Sequence, residues 1–159
     1  MTTAEKSTKV NTQWFGKIPS DWKAKRISAL FDFPNQRVSD EDYEPLSVTY
    51  GGIKKQVEGA AKTDNGSNRK LVRTGDIAIN GRSDRKGAVG LSEYDGSISV
   101  VYHVLRPRVA EEMEAKYFHY LFRSKLFSEE FYRWGRGIVD DLWTTRVSEM
   151  KIIEIPVPP

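Results

Sequence analysis

The chain has 159 residues, with 25 Lys and Arg against 22 Asp and Glu, a formal net charge of +3, and no Cys. This length fits one compact domain, and the lack of Cys excludes a disulfide framework, a zinc ribbon and a thiol nucleophile. With only His103 and His119 available, a multi-histidine metal centre is disfavoured, and we expect no metal site. No apolar run approaches the ~18 residues of a membrane span, so we expect a cytoplasmic protein without a membrane partner.

The predicted elements begin with a disordered segment over residues 1–13, followed by one domain over residues 14–159. Ser20 or Asp21 is typical of a helix N-cap, and apolar residues at helical spacing then predict a helix that continues to about Phe31.

A β-hairpin is predicted next. Apolar and polar residues alternate over residues 46–50, Gly51-Gly52 is a turn signal, and residues 53–57 are expected to form the return strand. Residues 59–70 are polar and rich in Gly and Asn, which predicts a surface loop.

A second group of strands is predicted after this loop. Gly75-Asp76 turns the chain into a short strand over residues 77–80. Residues 88–93 and 97–105 are expected to pair as a hairpin, because Asp95-Gly96 is a strong turn signal.

The last third is predicted to be mainly helical. Aromatic residues at helical spacing predict two helices within residues 113–134, then a short helix or loop over 141–150 and a final strand over 151–155. The element order predicts an α+β fold: a single compact domain with an N-terminal helix, a mostly antiparallel, twisted or barrel-like sheet, and helices near the C-terminus.

Positive charge is concentrated between Arg69 and Lys86, where six Lys and Arg against two Asp give a local charge of +4. Such a concentration suits contact with phosphates, because each neutralised phosphate releases counterions. A solvated surface loop is the alternative that charge alone leaves open.

One pattern is typical of an enzyme. Glu149-Met150-Lys151, on the way into the last strand, matches the Glu-x-Lys of metal-dependent nucleases, with Asp140 or Asp141 as the first acid. The spacing is common by chance in a chain with 30% charged residues. A nuclease that uses Glu149 and Lys151 is therefore kept as an alternative, and a protein-interaction domain is another.

Three basic loops favour DNA binding instead. Residues 82–86 present Arg donors between two strands, and Arg is the side chain best suited to guanine O6 and N7. Residues 49–55 add hydroxyls, two Gly and two Lys, and residues 133–137 with 143–146 add Arg and Thr on irregular backbone. Three such loops on one small domain favour a nucleic-acid partner.

The order and spacing of several segments resemble the target-recognition domain of type I restriction-modification specificity (S) subunits. The resemblance covers residues 14–159 and rests on these segments: Ile18-Pro19-Ser20-Asp21-Trp22, Leu46 to Ile53, Gly75 to Asn80, Gly87 to Pro107, Tyr117 to Ser124, Arg136-Gly137, Asp141-Leu142-Trp143 and Ile153 to Pro159.

This resemblance implies a non-catalytic DNA-reading module. Such subunits contain two recognition domains, each of which reads one half of a bipartite double-stranded DNA site, separated by long helices that form a coiled coil. They assemble with methyltransferase (modification) subunits that use S-adenosylmethionine and with restriction subunits that use ATP and Mg²⁺. The chain itself is then expected to need no cofactor and to have no catalytic residue.

By position, the resemblance assigns DNA contacts to the three basic loops. The expected contact residues are Tyr50, Lys54, Lys55, Asn80, Arg82, Ser83, Arg85, Lys86, Arg136, Thr144, Thr145 and Arg146. Asn80, Arg82 and Arg85 are the first candidates for base edges. Lys54, Lys55, Lys86 and Arg146 are the first candidates for phosphates, which position a protein without reading sequence.

One feature departs from the S-subunit pattern. A long helix follows the Pro-rich close in that family, whereas this sequence stops at Pro159. We expect an amino-terminal recognition half without the coiled-coil helix and without the second recognition domain.

Overall fold

The computed structural model describes residues 14–56, 66–82, 87–139 and 142–159, with the backbone alone for residues 112, 136–139 and 142–143. The expected disordered segment, residues 1–13, lies outside this part of the chain. The strands of the described part are Lys23–Arg26 (β1), Phe31–Asp32 (β2), Arg37–Val38 (β3), Leu46–Thr49 (β4), Gly52–Lys55 (β5), Arg69–Val72 (β6), Ile77–Asn80 (β7), Val89–Leu91 (β8), Gly96–Ile98 (β9), Tyr102–Pro107 (β10), Arg136–Val139 (β11), Leu142–Thr144 (β12) and Glu154–Val157 (β13). Its helices are Ile27–Leu30 (α1), Ala115–Arg123 (α2), Lys125–Arg133 (α3) and Val147–Met150 (α4), with a 3₁₀ turn at Ala110–Glu112.

The fold is α+β, as the element order predicts, with the two long helices in the C-terminal half. The described strands form five separate sheets rather than one continuous, barrel-like sheet, in the orders β1–β13, β2–β10–β7–β8, β3–β6–β9, β4–β5 and β11–β12. Every paired strand is antiparallel to its neighbour. No helix in the described residues is long and apolar enough to span a bilayer.

The predicted N-terminal helix is wrong for most of its length. Four of its residues form β1, which pairs with β13, and only α1, a single turn, is helical. The N–H groups of Ile27 and Ser28 donate to the carbonyls of Ile153 and Lys151, both at 3.0 Å. The C-terminal segment therefore supplies backbone partners that override the apolar periodicity. The last strand is β13 rather than residues 151–155.

The first hairpin is confirmed as β4 and β5. Thr49 closes its turn, because the Thr49 Oγ1 hydroxyl donates to the Gly52 carbonyl at 2.7 Å and accepts from the Gly51 N–H at 3.1 Å. The inward side chains Leu46 and Val48 are almost completely buried. Alternation and a local turn are enough to determine this element.

The second predicted hairpin is wrong. β8 pairs with β7 and β9 pairs with β6, so the segments on either side of Asp95-Gly96 enter different sheets. The Asp95 carboxylate accepts from the Thr74 N–H at 2.8 Å. Gly96 allows a close approach, since a Cβ there would lie 2.6 Å from the Glu44 carbonyl oxygen. Long-range contacts therefore use the two residues that resembled a local turn.

The end of the predicted polar loop is also wrong. Arg69 and Lys70 belong to β6, and they are only 3% and 6% exposed. The Arg69 guanidinium donates to Ser97 Oγ, the Ser97 carbonyl and the Leu46 carbonyl at 2.9 to 3.2 Å. The Lys70 ammonium donates to the Tyr102 carbonyl at 2.8 Å. Two of the six cations in the basic stretch are thus internal.

The two long helices, α2 and α3, are confirmed, and they enclose an aromatic core. Ser124 caps α3, with its hydroxyl accepting from the Phe127 N–H at 3.2 Å. The buried aromatic residues of this core are Phe31, Phe118, Phe122, Phe127, Phe131 and Tyr132. A smaller core, of mainly aliphatic side chains, lies under the first hairpin: Leu46, Val48, Ile53, Val72, Ala78, Ile98, Tyr102 and Val104.

Candidate nucleic-acid interface

Two of the three predicted basic loops meet in the structure. Arg82, just after β7, forms an antiparallel bridge with Thr144 at the end of β12, and Thr144 is in turn the partner of Arg136 on β11. The Thr145 N–H donates to the Gly81 carbonyl at 2.8 Å. Arg82, Thr144 and Arg136 therefore lie side by side on neighbouring backbone segments, and we call these three residues the loop junction.

Buried hydrogen bonds fix the backbone beneath the loop junction. Thr145 is completely buried, and its hydroxyl donates to the Phe131 carbonyl at 2.8 Å. The Tyr132 hydroxyl donates to the Asn80 carbonyl at 2.6 Å. The C-terminal half of α3 therefore holds two of the three backbone segments of the junction, those of Arg82 and Thr144, from the side of the aromatic core.

His103 also supports the loop junction. Its Nε2 lies 2.6 Å from the Thr145 carbonyl, which can only accept, so Nε2 is protonated and donates. Burial lowers the pKa of His103 below its ordinary value; the hydrogen bond to Thr145 opposes this effect, and the positive charge of Lys70 adds to it. Burial therefore favours the neutral imidazole, which donates from Nε2 to the Thr145 carbonyl.

The position of the His103 ring also requires a glycine at residue 81. A Cβ at this position would lie 2.7 Å from His103 Nε2 and 3.1 Å from the Val101 carbonyl oxygen. The Gly81 N–H donates to that carbonyl at 3.2 Å. The chain can therefore pass between His103 and Val101 only without a side chain.

The tip of the first hairpin lies beside Gly87, the first described residue after the loop that Gly81 begins. The Asn80 N–H donates to the Ala88 carbonyl at 3.1 Å, so Gly81 and Gly87 are both at the base of this loop. The Tyr50 ring lies 4.0 Å from where a Cβ of Gly87 would be, and its side chain is exposed. The structure thus places Tyr50 beside Gly87.

Of three further candidate residues, one is exposed and two have another partner. Lys54 is exposed on β5. Lys55 lies at the end of the hairpin opposite the tip, 3.6 Å from the Glu44 carboxylate. Arg146 follows the junction, and its guanidinium donates to Glu149 Oε1 at 2.8 Å.

Asn80 is placed inside the protein. It is 2% exposed, and its Oδ1 accepts from the Arg82 N–H at 2.9 Å. This contact shapes the turn that leads to Arg82. The base contact expected for Asn80 stays a prediction.

The remaining candidates are not described by the structure, or are described only in part. Ser83, Arg85 and Lys86 lie outside the described residues, and of Arg136 only the backbone is described. Their expected contacts with DNA stay predictions.

The pattern behind the nuclease alternative does not adopt the geometry that such a site needs. Glu149 is in α4 and Lys151 follows as its C-cap, so neither is on a strand. Glu149 is buried and paired with Arg146. Among the described residues there is no cluster of three or more side chains able to hold a metal ion. Asp140 and Asp141 lie outside the described residues.

Sequence reasoning missed the residues that support the site, namely His103, Tyr132 and Arg123. Each of them contacts a loop that is at least 42 positions away in the chain. No local pattern marks such a contact. The one local signal is Gly81, which lies between Asn80 and Arg82 and indicates a turn or a close approach of the backbone.

The fold is shared with known specificity subunits. The chain is similar to the type I restriction-modification system S subunit from M. genitalium, with 20% identity and a TM-score of 0.56 over 88% of this chain and 36% of that chain. It is also similar to the HsdS subunit from Thermoanaerobacter tengcongensis, with 17% identity and a TM-score of 0.58 over 98% of this chain and 40% of that chain.

A third similar structure is a chain from a study of complex assembly and conformational transition of the type I R-M system, with 15% identity and a TM-score of 0.65 over 98% of this chain and 38% of that chain. No family model and no curated relative matches the chain. The chain thus has the fold of one part of a type I S subunit, and it spans 36 to 40% of the length of these three chains.

Proposed function

We propose that the chain is a target-recognition domain that reads one half of a bipartite double-stranded DNA site. The observation that supports this most is the loop junction. Arg82, Thr144 and Arg136 come from three backbone segments and lie side by side. Arg and Thr are side chains that contact base edges in the major groove. The shared fold with S subunits agrees with this function.

The rigidity of the backbone under the junction supports the same proposal. Direct readout requires donors and acceptors held at fixed positions against the base edges. Thr145, His103 and Tyr132 hold the Arg82 and Thr144 segments of the junction through three buried or half-buried hydrogen bonds of 2.6 to 2.8 Å. None of these three side chains needs to touch DNA for that purpose.

The role in a larger assembly is part of the proposal. By likeness to S subunits, the domain directs methyltransferase and restriction subunits to its half-site and catalyses no reaction itself. S-adenosylmethionine, ATP and Mg²⁺ then belong to those partner subunits.

Selection from a library of random duplexes tests the proposal on the chain alone. At low salt, wild type should enrich one short motif. Arg82→Ala should relax base preference at one position of this motif, by a discrimination of about 1–3 kcal/mol, and leave the other positions unchanged.

One outcome would contradict this function, and another would contradict the base-reading role of Arg82. One is that the wild-type chain enriches no motif at any salt concentration. The other concerns Arg82 alone: equal weakening on all sequences would show that its guanidinium contacts phosphate and not a base.

A further inference from the structure

An open cleft of about 530 Å³ lies beside the hairpin tip and apart from the loop junction. Its walls are Tyr50 and Gly87 on one side, and the end of α2 and the first turn of α3 on the other. None of these α2 or α3 residues is among the candidate residues that the sequence predicts. The cleft is therefore a separate part of the same surface.

Arg123 joins the two walls. Its Nη2 donates to the Tyr50 carbonyl at 2.7 Å, so the last residue of α2 is bound to the hairpin tip. Lys125, the first residue of α3, is 89% exposed, and its ammonium is 4.0 Å from the Glu129 carboxylate. The cleft thus has two cations, and one carboxylate that weakens its attraction for anions.

A polar side chain also lines the cleft. Ser128 lines the cleft and is only 9% exposed. Its hydroxyl is a small polar group in the wall of the cleft that can donate one hydrogen bond. A phosphate oxygen that enters the cleft can accept a hydrogen bond from it.

Helix α3 connects this cleft with the loop junction. Its first turn lines the cleft, whereas Phe131 and Tyr132 near its other end hold Thr145 and Asn80. Lys125 and Phe131 are separated by about 9 Å along the helix axis. This length corresponds to two or three phosphates of one DNA strand, which are spaced by ~3.4 Å along the duplex.

We propose that this cleft binds a backbone phosphate of the DNA whose bases the loop junction reads, with Arg123, Lys125 and Ser128 as donors. The inference rests on the proposed DNA-reading function and adds a contact site to it. Such a contact gives affinity and fixes the register of the domain on the duplex, and it carries no base preference.

Two exposed substitutions test the site in opposite directions. The experiment is a titration of the chain with its selected duplex, and with a duplex of unrelated sequence, over a range of salt concentrations. Lys125→Gln should lower the slope of log affinity against log salt by about 0.9 and weaken both duplexes about eightfold at 0.1 M salt. Glu129→Gln should strengthen binding to both duplexes, because it removes the carboxylate from the cleft.

Lys23→Gln is the matched control, since Lys23 is also exposed and lies on β1, which among the described strands pairs only with β13. It should leave the slope unchanged. The site is refuted if wild type binds with a steep salt dependence but Lys125→Gln and Glu129→Gln behave like wild type. It is also refuted if Lys23→Gln lowers the slope as much as Lys125→Gln. Failure of wild type to bind either duplex would instead overturn the proposed function.

Discussion

The basic stretch between Arg69 and Arg82 contains cations with opposite surroundings. Arg69 and Lys70 lie on the central strand of a three-stranded sheet, where their charged groups donate to backbone carbonyls of other strands. Arg82 lies only twelve positions after Lys70, two residues beyond the end of β7, and belongs to the loop junction. The comparison teaches that local charge density does not identify a binding surface, because strand pairing decides which cations point inward.

The largest effect is expected at Arg69. Arg69→Met should lower the free energy of unfolding by about 3–5 kcal/mol, because it leaves buried carbonyl groups of Leu46 and Ser97 without their donor. Urea denaturation measures this loss. The exposed control Lys54→Met should change the free energy by less than ~0.5 kcal/mol.

Equal stability of Arg69→Met and Lys54→Met would contradict the contrast between buried and exposed cations. It would mean that the Arg69 guanidinium is hydrated rather than bound between β4 and β9.

A pH effect should distinguish Lys70 from exposed lysines. Burial, with a smaller contribution from the charge of Arg37, lowers the pKa of Lys70 from 10.5 to about 8. Between these two pH values the unfolded chain binds more protons than the folded one, so stability should rise with pH in this window. Below about pH 8 both states are protonated, and the full cost of the buried ammonium remains.

The measurement is the difference in unfolding free energy between wild type and Lys70→Met at several pH values from 7 to 10.5. This difference should move in favour of wild type by up to about 3 kcal/mol across the window. Groups common to both proteins cancel. A difference that does not vary with pH would show that Lys70 titrates as in water.

The fold could be predicted from sequence where its contacts are local. The hairpin of β4 and β5 follows from alternation and a turn, and α2 and α3 follow from the spacing of their aromatic residues. β1 and the pairing of β8 and β9 could not be predicted, because their partners lie far away in the chain. Asp95 illustrates the reason: its carboxylate binds Thr74 instead of closing a local turn.

Thr145 connects the interior with the loop junction. Its substitution should lower the free energy of unfolding less than that of Arg69. Thr145→Val keeps the shape but removes the hydrogen bond to the Phe131 carbonyl, so the expected loss is about 1 kcal/mol. Because the junction backbone is then less fixed, the variant should lose sequence preference in DNA binding more than it loses overall affinity.

Thr145→Ser is the matched control, since it keeps the hydroxyl. It should retain the sequence preference of wild type in the random-duplex selection. If Thr145→Val also retains that preference, then the buried support does not contribute to readout.

The smallest effect on stability is expected at Lys54, which is exposed on the first hairpin. Lys54→Gln should unfold within ~0.5 kcal/mol of wild type and lower the salt slope of DNA binding by about 0.9. An unchanged slope would remove Lys54 from the candidate phosphate contacts. The contrast between buried cations and DNA-binding cations would then depend on the loop junction alone.

The candidate site was only partly predictable. The residue types of Arg82, Arg136 and Thr144 indicate DNA contact, but their adjacency depends on a bridge between segments 62 positions apart. The neutral donor role of His103 likewise depends on the Thr145 carbonyl, 42 positions away. Contacts over such distances leave no periodic pattern in a single sequence.

The most direct test of the account transfers residues 14–159 into a complete type I S subunit, in place of one of its recognition domains. The chimera is assembled with its methyltransferase subunits, and methylated adenines are mapped across a genome. The account predicts a bipartite motif in which one half is new and the other remains that of the host subunit. Methylation of the unchanged host motif by the assembled chimera, or methylation without any motif, would contradict it.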